Sequence, residues 1–172
     1  AVTGSSDVCS SDLIEYLQAS QNLKERYGDV RFVYVGGEDF GNHSGLGKEI
    51  FENYKGVEYL GEQSDIKGIL QDSHIFVLPS YREGLPRTAL EAMSMEVAVV
   101  GADACGTRDV VRDGKTGLLV PVKESQALEA AIEKLITDEK LRNKLTKTAR
   151  EVCVKEYDIK PIVKAHLRVY GI

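Results

Sequence analysis

Seven residues separate Glu83 from Glu91 in "REGLPRTALEAM", residues 82–93, among them Gly84, Pro86 and Thr88. A helix cannot enter "EGLPR" from the left, because Pro86 clashes with a preceding helical turn and restricts Leu85 to extended conformations. Pro86 is comfortable at a helix start, where its missing N–H has no partner to lose. The spacing therefore predicts Glu83 on a loop and Glu91 inside the helix that follows, about one turn along. Two carboxylates from two elements can point into one crevice. Between them lie Gly84, which lets a ligand approach the backbone, and a helix N-terminus, which attracts anions.

Arg87 is unusual in that position. A cation in the first helical turn opposes the macrodipole, unless a bound diphosphate turns the cost into attraction. Its alternative is an ion pair with Glu91 at i,i+4, in the less favourable orientation. Thr88 has a similar choice between an ordinary first-turn hydroxyl and a donor to phosphate. For Glu83 and Glu91 the bland alternative is a pair of solvated carboxylates.

The elements that must position these residues alternate between two periods. "VRFVYVGG", "VEYL", "HIFVLP", "VAVVG" and "GLLVP" read as buried strands. "LIEYLQASQNLKERYG" reads as a helix with Gly28 at its C-terminus, and further helices are expected near "KEIFENY", after Ser64 as cap, and over "RTALEAMSM" and "TRDVVRDG". Two amphipathic helices, "SQALEAAIEKLITD" and "EKLRNKLTKTAREVCVKEY", precede a last one around "IVKAHLRVY". Strands alternating with helices predict an α/β fold, a doubly wound, Rossmann-like parallel sheet covered on both faces. In such sheets ligands bind at the carboxyl ends of the strands. The loops after Val35, Leu60, Leu78 and Val100 are then the places for a site.

Composition excludes several classes. The chain has 172 residues, 42% hydrophobic, which suits one domain with a sizeable core. A net charge of −5 argues against a general nucleic-acid binder. No apolar run approaches the roughly 20 residues that span a bilayer. Cys9, Cys105 and Cys153 are scattered and odd in number, which suits a reducing, cytoplasmic compartment. "GGEDFG" is not a dinucleotide fingerprint, and "NHSGLGKE" has Asn42 and Glu49 where a P-loop needs Gly and Ser or Thr. His43, His74 and His166 show no ligand spacing, and the sequon at Asn42 is incidental in a cytoplasmic protein.

Taken together, "PSYREGLPRTALEAM" and "VAVVGADACGTRDVVRDGKTGLLVPV" resemble the C-terminal, donor-binding half of a family 4 (group 1) retaining glycosyltransferase of the GT-B fold. Glu83 and Glu91 match that family's Glu-x7-Glu, and Gly114 to Pro121 match its G-x-x-G-x-L-V-P segment. The resemblance implies that Glu91 holds the two ribose hydroxyls of a nucleotide sugar, a carboxylate with two oxygens suiting a vicinal diol. Glu83 would bind the donor hexose, and the backbone N–H groups of Gly84 and Leu85 would face sugar or diphosphate, with Thr88 at the helix start. Gly61 and Gln63, with Leu60 and Glu62, would border the nucleobase. Glu83 and Arg87 are the candidate catalytic residues. The family works without a metal or other cofactor, so stabilising the departing diphosphate is the main electrostatic task. Pro86-Arg87 departs from the common Gly and hydrophobic residue there. It is closer to transferases that build bacterial lipid-linked glycans, lipopolysaccharide and polysaccharide, whose donors are often UDP-hexoses or UDP-N-acetylhexosamines.

The family also carries an Arg and a Lys just after the first strand of this domain. Here that stretch reads "AVTGSSDVCSSDL", with neither residue and no apolar run. Residues 2–13 resemble the translation of a common sequencing-library adapter, the alternative being a natural Ser-rich tail. The expectation is a non-native or disordered leader over 1–13, a donor domain over 14–172 that lacks its first strand, and no role for Cys9. A hexosyltransferase fragment of this kind is expected to be inactive alone. Its glycan or lipid-linked acceptor, and any association with the inner membrane face, would depend on a separate N-terminal domain. Two other readings remain at this point: a GT-B-type nucleotide-sugar epimerase, and a stand-alone flavodoxin-like nucleotide-binding or signalling domain.

Overall fold

The computed structural model describes residues 1–5, 10–37 and 49–171. The stretch "EDFGNHSGLG", with Asn42 and His43, falls outside these residues, as does Cys9. Six strands form one parallel sheet: β1 (Val2–Ser5), β2 (Phe32–Val35), β3 (Val57–Tyr59), β4 (Ile75–Leu78), β5 (Ala98–Ala102) and β6 (Leu118–Val120). Their order is β3-β2-β1-β4-β5-β6, the doubly wound arrangement, with its reversal between β1 and β4.

The helices are α1 (Ser10–Arg26), α2 (Glu49–Glu52), α3 (Ile66–Gln71), α4 (Arg87–Ser94), α5 (Thr107–Val110), α6 (Ser125–Thr137), α7 (Glu139–Glu156) and α8 (Ile159–Tyr170). Strand side chains alternate between two cores, as the pleat requires. Ile75, Val77, Ala98 and Val100 join Tyr16, Leu17 and Leu23 of α1 and Leu128, Ile132 and Leu135 of α6. Phe76, Leu78 and Val99 join Ala89, Ala92 and Met93 of α4, Val110 of α5, and Ala149 and Cys153 of α7. Both faces are covered, so β2, β4 and β5 read as near-continuous apolar runs.

Three local expectations are corrected. Asp65 rather than Ser64 caps α3, its carboxylate accepting from the Gly68 N–H at 3.2 Å. Gly28 does not adopt the left-handed conformation of a helix C-cap; instead Lys24 Nζ donates to the Gly28 and Val30 carbonyls at 2.7 and 2.8 Å.

The third concerns the first strand. It is present, at the centre of the sheet: Val2 pairs with Phe32 on one side and Ile75 on the other, and Gly4 with Tyr34 and Val77. Val2 and Thr3 are each only 2% exposed, and the boundary placed after residue 13 runs through α1. The reason is tertiary. "VTGS" has little apolar content of its own, but β2 and β4 offer it two complete ladders. Tyr16 closes over it, and a Cβ added at Gly4 would lie 2.8 Å from that ring. The Tyr16 hydroxyl lies within hydrogen-bonding reach of the Val2 and Val33 carbonyls, at 3.2 and 2.9 Å. Burial there pushes the phenol far above its ordinary pKa.

Candidate functional site

The crevice at a strand-order reversal is where an open α/β sheet accepts ligands. Here it lies beyond the ends of β1 and β4, and the β4 side is the loop 79–86 that carries Glu83. That loop is gripped from two directions. On one side the Glu83 N–H donates to the Cys105 carbonyl at 3.4 Å. The partner turn is tight because Gly106 sits at φ +82°, and a Cβ there would come within 2.3 Å of the Glu83 carbonyl oxygen and 2.7 Å of that of Gly84. Only glycine satisfies both conditions. On the other side the Tyr81 N–H donates to Asp12 Oδ2 at 3.2 Å, and the Tyr81 hydroxyl donates to Glu15 Oε1.

Beyond the loop, α4 begins as the proline predicts. Pro86 occupies the N-cap with φ −72° and ψ 90°, and no side chain caps the helix. The first-turn N–H groups are therefore left to a ligand or water. Gly84 and Leu85 are exposed in the turn, Leu85 by 53%, and Thr88 is half-buried in the first helical turn. Arg87 is exposed at the first helical position, and neither it nor Glu91 takes part in any ion pair among the described residues, so the alternative of an Arg87–Glu91 pair is not realised.

Glu91 is exposed one turn further on, roughly 6 Å along the axis from Arg87. It borders a cavity of about 420 Å³ between α4 and the end of α7, lined also by Leu90, Ser94, Cys153 and Tyr157. Glu83 and Glu91 thus frame the same helix start from different surroundings, Glu83 against the Gly106 turn and Glu91 on the α7 side. Gly61 and Gln63 lie farther away, just after the edge strand β3. Three strand spacings of about 4.8 Å separate that edge from β4, on the order of 14 Å. Gly61, at φ +70°, accepts from the Gly36 N–H at 3.1 Å, and Gln63 Nε2 donates to the Leu60 carbonyl at 2.6 Å.

The Gly114–Pro121 segment has a structural task. Gly114 lies at φ +66°, and a Cβ at Gly117 would meet the Val99 carbonyl at 2.6 Å. The Thr116 hydroxyl accepts from the Arg112 N–H at 2.8 Å, and Asp113 Oδ1 accepts from the Leu119 N–H at 2.9 Å. These bonds seat the turn that feeds β6.

Sequence reasoning missed three residues around the crevice. Asp12, 2% exposed, stands in the first turn of α1 beside the Glu83 loop. Ser80 is 4% exposed and its hydroxyl makes no hydrogen bond among the described residues. Lys123, at φ +63°, follows β6 and holds its ammonium 5.8 Å from the centre of the Tyr81 ring. Nothing in their local sequence marks them; they meet only through the sheet order.

The doubly wound parallel sheet with helices on both faces is the fold of the C-terminal domains of GT-B glycosyltransferases. Residues 12–152 match the family described as "Glycosyl transferases group 1", and the chain belongs to that family. It is 38% identical over 156 residues to the N,N'-diacetylbacillosaminyl-diphospho-undecaprenol alpha-1,3-N-acetylgalactosaminyltransferase of Campylobacter jejuni, covering 91% of this chain and 40% of that protein. It is 30% identical to the putative glycosyltransferase EpsD of Bacillus subtilis over 82% of this chain and 37% of the relative. The chain therefore spans about two fifths of the length of these relatives. Among solved structures, Anabaena HepE in complex with UDP superposes with a TM-score of 0.86 at 23% identity, over 99% of this chain and 48% of that one. The C-terminal domain of LpcC from Francisella tularensis does so at 0.77 and 24%, over 92% and 87%. Membership in this family sets aside the stand-alone flavodoxin-like reading.

Proposed function

We propose that this chain is the nucleotide-sugar-binding domain of a retaining hexosyltransferase that takes a UDP-hexose or UDP-N-acetylhexosamine and serves lipid-linked glycan or polysaccharide synthesis. The observation that carries the reading is the uncapped start of α4 between two exposed or half-exposed carboxylates, with an unpaired Arg87 at its first position. The diphosphate lies over that helix start, where the free N–H groups and the dipole favour negative charge. Glu91 accepts from the ribose hydroxyls and Glu83 from the hexose. Arg87 stabilises the charge that develops on the leaving diphosphate, the role a preorganised cation plays best. The reading uses no metal and no cofactor.

The C. jejuni relative is named for transfer to an undecaprenol-linked acceptor, and one HepE structure for its complex with UDP-glucose. Both names support a nucleotide-sugar donor and a lipid-linked acceptor here. The acceptor site, any peripheral contact with the inner membrane face, and full activity are assigned to a separate N-terminal domain; the relatives are longer than this chain. On this reading the present chain binds donor without efficient transfer. No described helix is long and apolar enough to cross a membrane.

The test is a thermal-shift titration with UDP, GDP, ADP and NAD on the wild type and Glu91→Ala. A ligand at 100 times its Kd adds about 2.7 kcal/mol of stability. Stabilisation by UDP that disappears in Glu91→Ala supports the reading. A folded protein that no nucleotide stabilises refutes it for this chain.

A further inference from the structure

Glu15 joins three separate elements near the crevice. It stands on the second turn of α1, accepts from the Tyr81 hydroxyl of the loop after β4, and is favoured in its charged form by Lys123 after β6. Lys123 holds a left-handed backbone conformation that non-glycine residues seldom adopt, and its ammonium approaches the face of the Tyr81 ring. Strain of this kind persists where surrounding contacts over-determine it, and it gathers at functional sites. Tyr81 is thus fixed at its backbone by Asp12, at its hydroxyl by Glu15 and over its ring by Lys123. It lies two residues before Glu83.

We infer that Tyr81, held by Glu15, is a positioning residue that sets where the Glu83 carboxylate stands and so governs affinity for the sugar half of the donor. The inference rests on the donor-site reading above. Its geometry makes the effect selective. Tyr81 and Glu83 share one short loop. Glu91 sits on α4, whose place is set independently by Ala89, Ala92 and Met93 in the core. Loosening the loop therefore withdraws Glu83 from the hexose and leaves Glu91 with the ribose. A hydrogen bond that merely stabilised the domain would weaken both halves of the ligand alike. Glu15→Gln keeps a carbonyl that accepts from the Tyr81 hydroxyl, so it serves as the conservative rescue.

The experiment measures Kd for UDP, UDP-glucose and UDP-N-acetylgalactosamine by calorimetry on the wild type, Tyr81→Phe, Glu15→Ala and Glu15→Gln. Hydrogen exchange across residues 82–86 is followed in parallel. The expected result is a sugar-nucleotide Kd raised about tenfold in Tyr81→Phe and Glu15→Ala, with UDP changed less than about twofold, and near wild-type values in Glu15→Gln. Exchange across 82–86 should rise in the first two variants only. Equal weakening of UDP and UDP-sugar, or no change in either, overturns the inference. If the wild type binds none of the three, the donor-site reading falls by itself. The exchange arm then judges the latch, and unchanged protection across 82–86 rejects it.

Discussion

A Cβ placed on Gly106 would lie 2.3 Å from the carbonyl oxygen of Glu83. The loop that presents the first carboxylate is thus shaped against a turn more than twenty residues later in the chain. Gly106→Ala must either push the Glu83 loop outward or abandon φ +82°. The strained backbone alone costs on the order of 1–3 kcal/mol. The expected outcome is a lower Tm together with weaker UDP-sugar binding. A Gly106→Ala domain that melts and binds as the wild type does removes Gly106 from the site's framework.

Arg87 gives a prediction with two opposite signs. It sits at the positive end of α4 with no ion-pair partner, so removing it relieves an unfavourable dipole interaction of about 0.3–1 kcal/mol. Arg87→Ala is expected to raise the melting temperature of the free domain slightly. The same change deletes a cation facing the proposed diphosphate. UDP affinity should therefore fall, and its dependence on salt should flatten, because exposed charges are screened beyond about 8 Å at physiological ionic strength. Paired melting curves and titrations at two salt concentrations check both signs. An Arg87→Ala variant that binds UDP unchanged takes Arg87 out of the site.

Much of this was legible beforehand, and the reasons differ by element. β4, β5 and the loop between β4 and α4 were readable because their apolar runs and Pro86 are local signals that tertiary contacts reinforce. The placement of Glu83 on a loop and Glu91 in a helix was readable for the same cause, seven residues and one proline lying between them. β1 was not. Its four residues carry no strand signal, and its burial is supplied by Tyr16 over Gly4 and by ladders from two strands distant in sequence. Asp12, Glu15, Tyr81 and Lys123 were illegible together because three segments distant in sequence bring them to one place. Asp12, buried in the first turn of α1 beside the crevice, carries no mark of that burial in its Ser-rich surroundings.

The two described cysteines should differ sharply in reactivity. Cys153 is 6% exposed, and desolvation raises its thiol above the ordinary value, so little thiolate forms at neutral pH. Cys105 is exposed, and its carbonyl receives the Glu83 N–H. In a Cys9→Ser background, iodoacetamide is expected to modify Cys105 first and Cys153 only on unfolding. Saturating donor nucleotide should slow modification of Cys105, since the ligand covers the adjoining loop. Mass spectrometry of the labelled peptides reads both effects, and equal rates at the two thiols contradict the packing around Cys153.

Glu15 supplies a pH signature. Burial is the main influence on its carboxyl and raises its pKa; Asp12 pushes in the same direction, while the Tyr81 hydroxyl and Lys123 oppose. A carboxyl whose folded pKa lies above its unfolded value binds its proton more tightly in the folded state. Its contribution to stability is therefore fully present below the ordinary glutamate range and is lost as pH rises through the raised folded value. Glu15→Gln removes that titration while keeping an acceptor for Tyr81. The difference in Tm between wild type and Glu15→Gln should consequently shift against the wild type as pH climbs from about 4 toward neutrality, and then level off. A difference that stays flat across this range would mean that Glu15 titrates as a solvated side chain.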